Sequence, residues 1–548
     1  MKNINKILGL GMMTLALTGC KDLDTTYEGG FVTTEQKEAV LRLNPDMAQA
    51  GVMGLSSGMS QYMTVYGNHF DFGYPGVMIG LDMQTQDYLT TTGGYNWYND
   101  WFCFTSPTPS GTPAGMAWYH IYKDVLNANT VASTIDPATE DGTLKFYRAQ
   151  AVGKRAFDYL TLAQLFQFNY SIDPSAPGVP LVTDENSAEV EQNGAPRASL
   201  EEMYAQILKD AGEAISLLSS TNVTPETVLD SKPKRMISLA VAYGIRARAY
   251  MAMHKYAEAA QDAQAAINSF SGRPYSIAEM SRPSFTNIDD PAWMWGIAIA
   301  ETDRVVTSGI VNFPSMTCTF CSSGYVTVGA WKYASDVLYK QIPSADVRKG
   351  WFLDENMTST HLNRQEQAYI DSYDNMPAYT NVKYAGYQNV VGQSTNASDI
   401  PLMRIEEMYY ILAEGQAMSG NTAGAKSTFE SFIRTYRNPN FVMNAETAED
   451  MQNVIYNDKR VEFWGEGILY FDLMRLDKGV DRRPATNVEA SAYIYIPSYK
   501  DDDTGTSWKD KRKAGVLIYC IPTGEINGNK ALTQADNNLS CDAPVPVH

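Results

Sequence analysis

The feature that most constrains the fold of this chain is a set of apolar residues that recur at helical spacing, in neighbouring pairs of segments. One such stripe begins at Ala149 and ends at Phe166. A capping box, Ser199-Leu-Glu-Glu202, then opens a second stripe that ends at Leu218. Apolar side chains three and four residues apart share one face of a helix. The spacing therefore predicts a helix pair over residues 146–218.

Two further pairs follow the same pattern. Stripes over residues 243–251 and 256–267 are separated by a turn at His254-Lys255, and stripes over 405–413 and 428–436 by a turn near Gly420. Adjacent antiparallel helices are the unit of a tetratricopeptide-like array, in which each pair covers the apolar face of the next. We therefore expect a mainly α fold, with helical hairpins over about 146–270 and 402–476 stacked in one domain that spans 31–548.

Irregular segments interrupt these helices. Residues 60–118 mix Gly, Pro, Thr and aromatic residues, and residues 275–400 combine loops with short β-prone runs such as Trp295 to Ile299. The late run Val516 to Ile521 predicts one more buried strand. Loops on a rigid support usually carry function, so we expect the binding site in these insertions rather than in the helical scaffold.

The first twenty residues have the pattern of an export signal. Lys2 and Lys6 precede the uncharged apolar run Ile7 to Leu17, which is too short to span a bilayer. Leu17-Thr18-Gly19-Cys20 resembles the lipobox of bacterial lipoproteins. This resemblance implies a signal peptide over 1–19, lipid on Cys20 and a tether over 20–30. The following Lys21-Asp22-Leu23-Asp24 resembles the signal for display on the outer face of the outer membrane, which implies a location facing the cell exterior. The alternative is a plain secretory signal with an incidental cysteine.

Charge and cysteine content exclude several function classes. The 43 basic and 62 acidic residues give a net charge of −19, which argues against nucleic acid as a ligand. Cys318-Thr-Phe-Cys321 has the spacing of half a zinc knuckle, but no second half follows. We assign no metal ligand, no cofactor and no catalytic residue, and the sequence leaves open whether a structural metal is bound. Five cysteines remain after Cys20, and the sequence leaves their disulfide state open: Cys103, Cys318, Cys321, Cys520 and Cys541.

One short segment combines the residue types that bind neutral sugars. Sugar rings present flat C–H faces edged by hydroxyl groups, so aromatic rings and polar side chains together suit them. The segment from Gly93 to Phe102 supplies both types. The predicted ring platforms are Trp97, Tyr98 and Trp101, with Asn96, Asn99 and Asp100 as polar partners.

A structural role is the alternative for these rings. Trp97, Trp101 and Phe104 are four and three residues apart, which is also the spacing of a buried helical stripe. Trp331 is a second candidate platform, and Trp293 is a weaker one in a β-prone run.

Seven short motifs in order resemble the SusD/RagB family of outer-membrane nutrient-binding lipoproteins. They are Trp118 to Tyr122, Tyr147 to Ala151, Arg197 to Tyr204, Arg404-Ile-Glu-Glu407 with Glu414, Phe-Ile-Arg434, Glu466-Gly467 with Phe471 to Arg475, and Ile521-Pro522. One departure is Lys459-Arg460, where the family has an acidic residue before the arginine, and we expect these side chains to form scaffold ion pairs.

The resemblance implies a binding protein rather than an enzyme. It would capture an oligosaccharide or polysaccharide at the cell surface and deliver it to a SusC-like TonB-dependent transporter. Members of the RagB branch handle peptides, so peptide cargo stays open. A glycoside hydrolase with a helical fold is the enzyme alternative, and a pure interaction scaffold is another.

Overall fold

The computed structural model describes residues 46–538, which fold into twenty α-helices and eight short strands. In chain order, helices α1 to α20 are Asp46–Ser57, Tyr74–Met83, Asn99–Phe102, Thr112–Ser133, Gly142–Phe166, Ser187–Asn193, Leu200–Ser219, Pro225–Val228, Leu239–Ala252, Tyr256–Ser269, Ile277–Met280, Arg304–Thr307, Phe313–Thr317, Asp336–Gln341, Arg364–Ile370, Ile405–Met418, Thr422–Tyr436, Ala448–Glu462, Leu469–Arg475 and Thr523–Gly528. The predicted signal peptide, Cys20 and the tether, together with Cys541, lie outside the described residues.

The long helices form one continuous array. Helix α4 packs on α5, α5 on α7, α7 on α9, α9 on α10, α10 on α16 and α16 on α17. The helices α10 and α16 are in contact although the irregular segment 275–400 separates them in sequence. The predicted stacking of helical hairpins is therefore confirmed, while the number of domains stays a prediction.

Local sequence explains where these helices begin and how closely they approach. The capping box at Ser199 and Glu202 is confirmed at the start of α7. Asp141 caps α5 by accepting hydrogen bonds from two backbone N–H groups, each at 2.9 Å. A Cβ atom at Gly415 of α16 would lie 2.6 Å from the Tyr256 carbonyl oxygen of α10. Glycine at this position therefore permits the close contact between the two helices.

The eight strands form four antiparallel pairs in the described part of the chain. In chain order, β1 to β8 are Tyr88–Leu89, Pro177–Pro180, Arg197–Ser199, Trp293–Ile297, Tyr333–Ala334, Ile400–Arg404, Val480–Asp481 and Tyr495–Ile496. The pair of β1 and β5 matters most for the site, because Tyr88 pairs with Ala334 and Leu89 with Tyr333. This pair brings the two irregular segments of the chain together.

A cluster of six buried charged side chains lies where β6, α16 and α18 meet. We call it the buried ionic network, and it consists of Arg348, Arg404, Arg437, Glu406, Glu462 and Glu466. Glu462 accepts from Arg404 Nη1 at 3.0 Å and from Arg437 Nε at 2.7 Å, and Glu466 accepts from Arg404 Nε at 2.8 Å. Three of these residues belong to the sequence motifs described above.

The residues that depart from the family pattern also form ion pairs. Lys459 contacts Asp472 at 2.7 Å, and Arg460 donates two hydrogen bonds to Asp87. The expectation that these two basic side chains belong to the scaffold is therefore confirmed.

The predicted strand at Val516 to Ile521 is wrong. Residues Ala514–Leu517 form a 3₁₀-helix, and no strand follows them before α20. The backbone N–H of Tyr519 donates instead to the Leu165 carbonyl oxygen at 2.8 Å, near the end of α5. The apolar run is buried as expected, but it packs against the end of a helix rather than pairing with a strand.

Two architectures do not occur in the described part of the chain. None of its helices combines the length and apolar character needed to cross a membrane. Its helices also do not close into a barrel.

Candidate functional site

The predicted sugar-binding segment is a surface loop that ends in one turn of helix. Gly93 and Gly94 adopt positive φ angles of 77° and 57°, which glycine adopts without strain, and they turn the chain at the tip of the loop. Tyr95 follows them and is 55% exposed. Trp97 is half-buried, and the chain then enters α3, where Trp101 and Phe102 are buried.

Hydrogen bonds hold this loop against the second irregular segment and against Glu489, which lies later in the chain. Thr91 donates its hydroxyl hydrogen to the Gly329 carbonyl oxygen at 2.9 Å, directly beyond the pair of β1 and β5. The backbone N–H of Thr92 donates to Glu489 at 2.8 Å. These contacts place Tyr95 and Trp97 beside Tyr325.

Four rings from three distant parts of the chain meet at this point. We call them the aromatic cluster, and they are His69, Tyr95, Trp97 and Tyr325. The His69 ring stacks on Trp97 with the ring centroids 4.4 Å apart and the planes 13° apart. The centroid of Tyr325 lies 6.0 Å from that of Tyr95 and 6.0 Å from that of Trp97. Buried Tyr325 forms the floor of the cluster, and its hydroxyl is hydrogen-bonded to His69 Nδ1.

A buried carboxylate shapes the loop that carries His69. Asp71 Oδ2 accepts hydrogen bonds from the backbone N–H groups of Val65 at 2.8 Å, Tyr66 at 2.7 Å and Gly67 at 3.1 Å. Its Oδ1 contacts His120 Nε2 at 2.8 Å. Asp71 therefore fixes the path of the chain on both sides of the loop.

The protonation states at the site follow from these contacts. Burial alone would raise the pKa of Asp71, but the hydrogen bonds from His120 and the backbone outweigh it and lower that pKa. Burial lowers the pKa of His69, so this ring is neutral at neutral pH, and burial raises the pKa of Tyr325. His69 and Tyr325 are therefore uncharged near pH 7.

One partly exposed tyrosine, Tyr62, lies next to Tyr325 of the cluster. The guanidinium of Arg304 lies 5.0 Å from the ring centroid of Tyr62. The surface beside the cluster thus offers an additional ring and one hydrogen-bond donor with a positive charge.

Four of the predicted ring platforms are wrong, because their side chains lie inside the protein. Tyr98, Trp101, Trp293 and Trp331 are each no more than 1% exposed. The indole of Trp101 packs so closely on α2 that a Cβ atom at Gly80 would lie 2.4 Å from its Nε1. The Trp293 indole donates to the Tyr275 hydroxyl at 2.7 Å, and Trp331 packs edge-on against Tyr373. A buried ring cannot stack on a dissolved sugar.

The predicted polar partners have local roles in the structure. Asn96 is buried, and its Oδ1 accepts a hydrogen bond from the Tyr98 backbone N–H at 3.2 Å. That role in the turn makes Asn96 a poor ligand contact and corrects the prediction. Asn99 and Asp100 are half-buried, and Asp100 accepts from the Thr105 hydroxyl at 2.8 Å. A ligand contact for Trp97, Asn99 and Asp100 stays a prediction.

Sequence reasoning missed three residues of the cluster as ligand candidates: His69, Tyr95 and Tyr325. Tyr95 follows the glycine pair directly, and this position at a loop tip indicates exposure. For His69 and Tyr325 no local pattern exists, because only the folded chain brings these two positions to the loop.

The described residues contain no site that would suit a metal or a reactive thiol. No group of three His, Cys, Asp or Glu side chains within 46–538 is arranged to hold a metal ion. The thiols of Cys318 and Cys321 are buried, and burial raises the pKa of the Cys318 thiol to about 12. Such thiols are protonated at physiological pH and therefore unreactive.

Two protein-family profiles match separate parts of the chain. A profile described as the SusD family matches residues 319–538. A second, described as "starch-binding associating with outer membrane", matches residues 81–251. No curated protein matches the sequence at the significance threshold applied.

Solved structures share the fold over nearly the whole chain. A SusD-like carbohydrate-binding protein from Bacteroides vulgatus is 21% identical, with 90% of this chain and 97% of that chain covered and a TM-score of 0.68. A SusD superfamily protein from Bacteroides thetaiotaomicron is 18% identical, with coverages of 89% and 98% and a TM-score of 0.67. A laminarin-binding SusD-like protein is 16% identical, with coverages of 88% and 98% and a TM-score of 0.59.

The helical array, the order of the sequence motifs and the two profile matches agree with one another. This chain belongs to the SusD/RagB family.

Proposed function

We propose that this protein binds neutral oligosaccharide or polysaccharide at the aromatic cluster. The observation that carries the proposal is the convergence of four rings from three distant segments at the surface, with Tyr95 exposed and Trp97 half-buried. Ring faces of this kind cover the C–H faces of sugars, and the neighbouring polar groups satisfy their hydroxyls. The starch-binding family description and the laminarin-binding relative support a carbohydrate as the ligand.

In this proposal the protein captures its cargo without cleaving it. A lipid on Cys20, which lies outside the described residues, anchors the chain at the outer face of the outer membrane. A SusC-like TonB-dependent transporter receives the glycan from the binding protein. Stacking at a wet surface gives modest affinity, which suits a protein that hands its cargo on.

Affinity electrophoresis of the chain from Asp22 onward, in gels that contain starch, laminarin and other polysaccharides, tests the binding proposal. We expect at least one polysaccharide to retard the wild-type chain. The Trp97→Ala variant should lose at least tenfold in affinity, and Trp97→Phe should retain part of it. Wild-type retention that Trp97→Ala leaves unchanged would place binding elsewhere, and retention of peptides alone would favour peptide cargo.

Two further measurements test the cellular part of the proposal. The lipidated protein should co-purify from detergent-solubilised outer membranes with a large β-barrel transporter, and Cys20→Ala should release the chain from the membrane. Reducing-end assays on every retained glycan should show no products. Turnover that disappears in a single Glu→Gln variant would contradict the non-enzymatic assignment.

A further inference from the structure

A second concave site lies away from the aromatic cluster. The helix α14, the 3₁₀-helix Val347–Trp351 and the segment that follows it enclose a cavity of about 500 Å³ with part of α11. We call it the 339–361 cavity. It shares no lining residue with the aromatic cluster. Its volume lies within the range of roughly 300–1,000 Å³ that is typical of small-molecule sites.

The charged groups that line this cavity are already satisfied by other parts of the protein. Asp346 pairs with Arg348 at 2.7 Å. Lys349 Nζ donates to the Ile342 carbonyl oxygen at 2.7 Å and lies 4.5 Å from the ring centroid of Tyr339. Asp354 accepts hydrogen bonds from two backbone N–H groups and a hydroxyl of its own turn. No unpaired charge is left to attract an ion, so the cavity suits an uncharged ligand.

Neutral polar groups in the cavity, in contrast, retain free hydrogen-bonding capacity. Within residues 46–538 no partner exists for the side-chain hydroxyls of Tyr339, Ser344 and Thr360. His361 is only 7% exposed, yet its Nδ1 has no partner in the same part of the chain. Because buried polar groups are normally hydrogen-bonded, the free Nδ1 of His361 is an exception in this cavity. Ser344 and Thr360 are exposed and Tyr339 is partly exposed, so their hydroxyls face solvent and can bond to an incoming molecule.

Apolar surface lies next to these polar groups. Phe352 and Val347 line the cavity together with the partly exposed Tyr339 ring. A mixture of apolar surface and unpaired hydroxyls matches a molecule that alternates C–H faces with hydroxyl groups. Its volume fits one or two sugar rings rather than the middle of a long chain.

We propose that the 339–361 cavity is a second carbohydrate site, which binds a neutral mono- or disaccharide unit. The inference rests on the proposed function for the class of ligand, but it uses a different set of residues. A polysaccharide that is held at the aromatic cluster could then place a chain end or a side branch in this cavity. The two sites would together select branched or chain-terminal structures over a uniform linear chain.

Saturation-transfer difference NMR with maltose and laminaribiose tests this proposal in a background that lacks the first site. We expect the Trp97→Ala chain to give a saturable signal with at least one disaccharide. Adding Ser344→Ala and Thr360→Val, which remove two exposed hydroxyls, should weaken this signal at least fivefold. The matched control adds Ser427→Ala and Thr435→Val, two exposed hydroxyls on α17, and should keep the signal.

Either of two results would overturn the second site. One is the absence of any disaccharide signal from the Trp97→Ala chain, and the other is an equal signal from the cavity variant and its control. The proposed function fails on a separate measurement, because it requires Trp97→Ala to reduce polysaccharide retention. The two failures can therefore be told apart.

Discussion

The buried ionic network and the aromatic cluster are two regions of this molecule that are built on opposite principles. In the ionic network, six charged side chains are almost completely buried and form ion pairs with one another. In the aromatic cluster, uncharged rings come from three loops, and Tyr95 is mostly exposed. The first region can contribute to stability but cannot reach a ligand, whereas the second can reach a ligand and contributes little to stability.

In the aromatic cluster, loop segments form a fixed surface. The loops of the aromatic cluster are not held by their own rings but by buried polar anchors such as Asp71 and by the pair of β1 and β5. Function and stability therefore reside in different side chains of the same segments.

Replacement of Glu462 by Gln should have the largest effect on stability. Burial opposes the charge of Glu462, but the guanidinium groups of Arg437, Arg404 and Arg348 outweigh burial and hold its pKa well below the usual range. Loss of this charge leaves buried cations uncompensated, so we expect the free energy of unfolding to fall by about 3–5 kcal/mol. Urea denaturation measures the change.

The control for Glu462→Gln is Glu185→Gln, because Glu185 pairs with Lys209 at the surface, where the side chains are 68% and 51% exposed. This variant should change the free energy of unfolding by about 1 kcal/mol or less. Equal effects of the two variants would contradict the importance of the buried network.

Replacement of two tryptophans that lie only four residues apart should affect different properties of the protein. Trp101→Ala should mainly lower stability, and Trp97→Ala should mainly weaken glycan retention. Trp101→Ala creates a cavity beside Gly80, and we expect it to lower the free energy of unfolding by about 3–5 kcal/mol. Trp97→Ala removes a half-buried ring with its contacts to His69 and Tyr325, and should cost less than Trp101→Ala. Denaturation curves of both variants, measured beside glycan retention, test the division. A large loss of stability in Trp97→Ala would assign this ring to the core.

His361 is buried without a charged partner, so its protonation should make the stability of the fold depend on pH. The ionic network should not have this effect. Burial lowers its pKa from 6.5 to about 4. As pH falls from 6.5 to 4, the unfolded chain binds a proton that the folded chain excludes, and the folded state loses about 3 kcal/mol. The wild type should therefore lose more stability than His361→Gln over this range. Equal losses of stability in the wild type and in His361→Gln would refute the lowered pKa of His361.

Asp71→Asn should have a smaller effect on stability but a clear effect on binding. The amide keeps the shape of the carboxylate but loses its charge, which supports hydrogen bonds from three backbone N–H groups and His120. We expect a loss of about 1.5–3 kcal/mol in the free energy of unfolding. Weaker glycan retention should accompany it, because the loop carries His69. Unchanged retention in a folded Asp71→Asn protein would show that this loop does not shape the site.

The helical scaffold could be predicted from the sequence because its signals are local. Apolar spacing and the capping box at Ser199 depend on residues within one or two turns of helix, and both predicted the observed helices. The apolar run at Val516 gave a wrong strand because a short apolar segment is buried equally well in either conformation.

The aromatic cluster could be predicted only in part. The sequence identifies segment 93–102 as a candidate site. The residue spacing does not show whether Trp97 or Trp101 is buried, and only the packing of Trp101 on Gly80 decides this. His69 and Tyr325 reach the site through Asp71 and through the pair of β1 and β5, and neither contact leaves a local pattern in the sequence.

The central claim is that ligand contacts the half-buried Trp97 while the buried tryptophans take no part. Fluorine NMR of the chain labelled with 5-fluorotryptophan, in which Trp97→Phe assigns one resonance, tests this claim most directly. Titration with a retained glycan should shift or broaden the Trp97 resonance in a saturable way and leave those of Trp101, Trp293 and Trp331 unchanged. A Trp97 resonance that stays unchanged at saturating glycan would contradict the account.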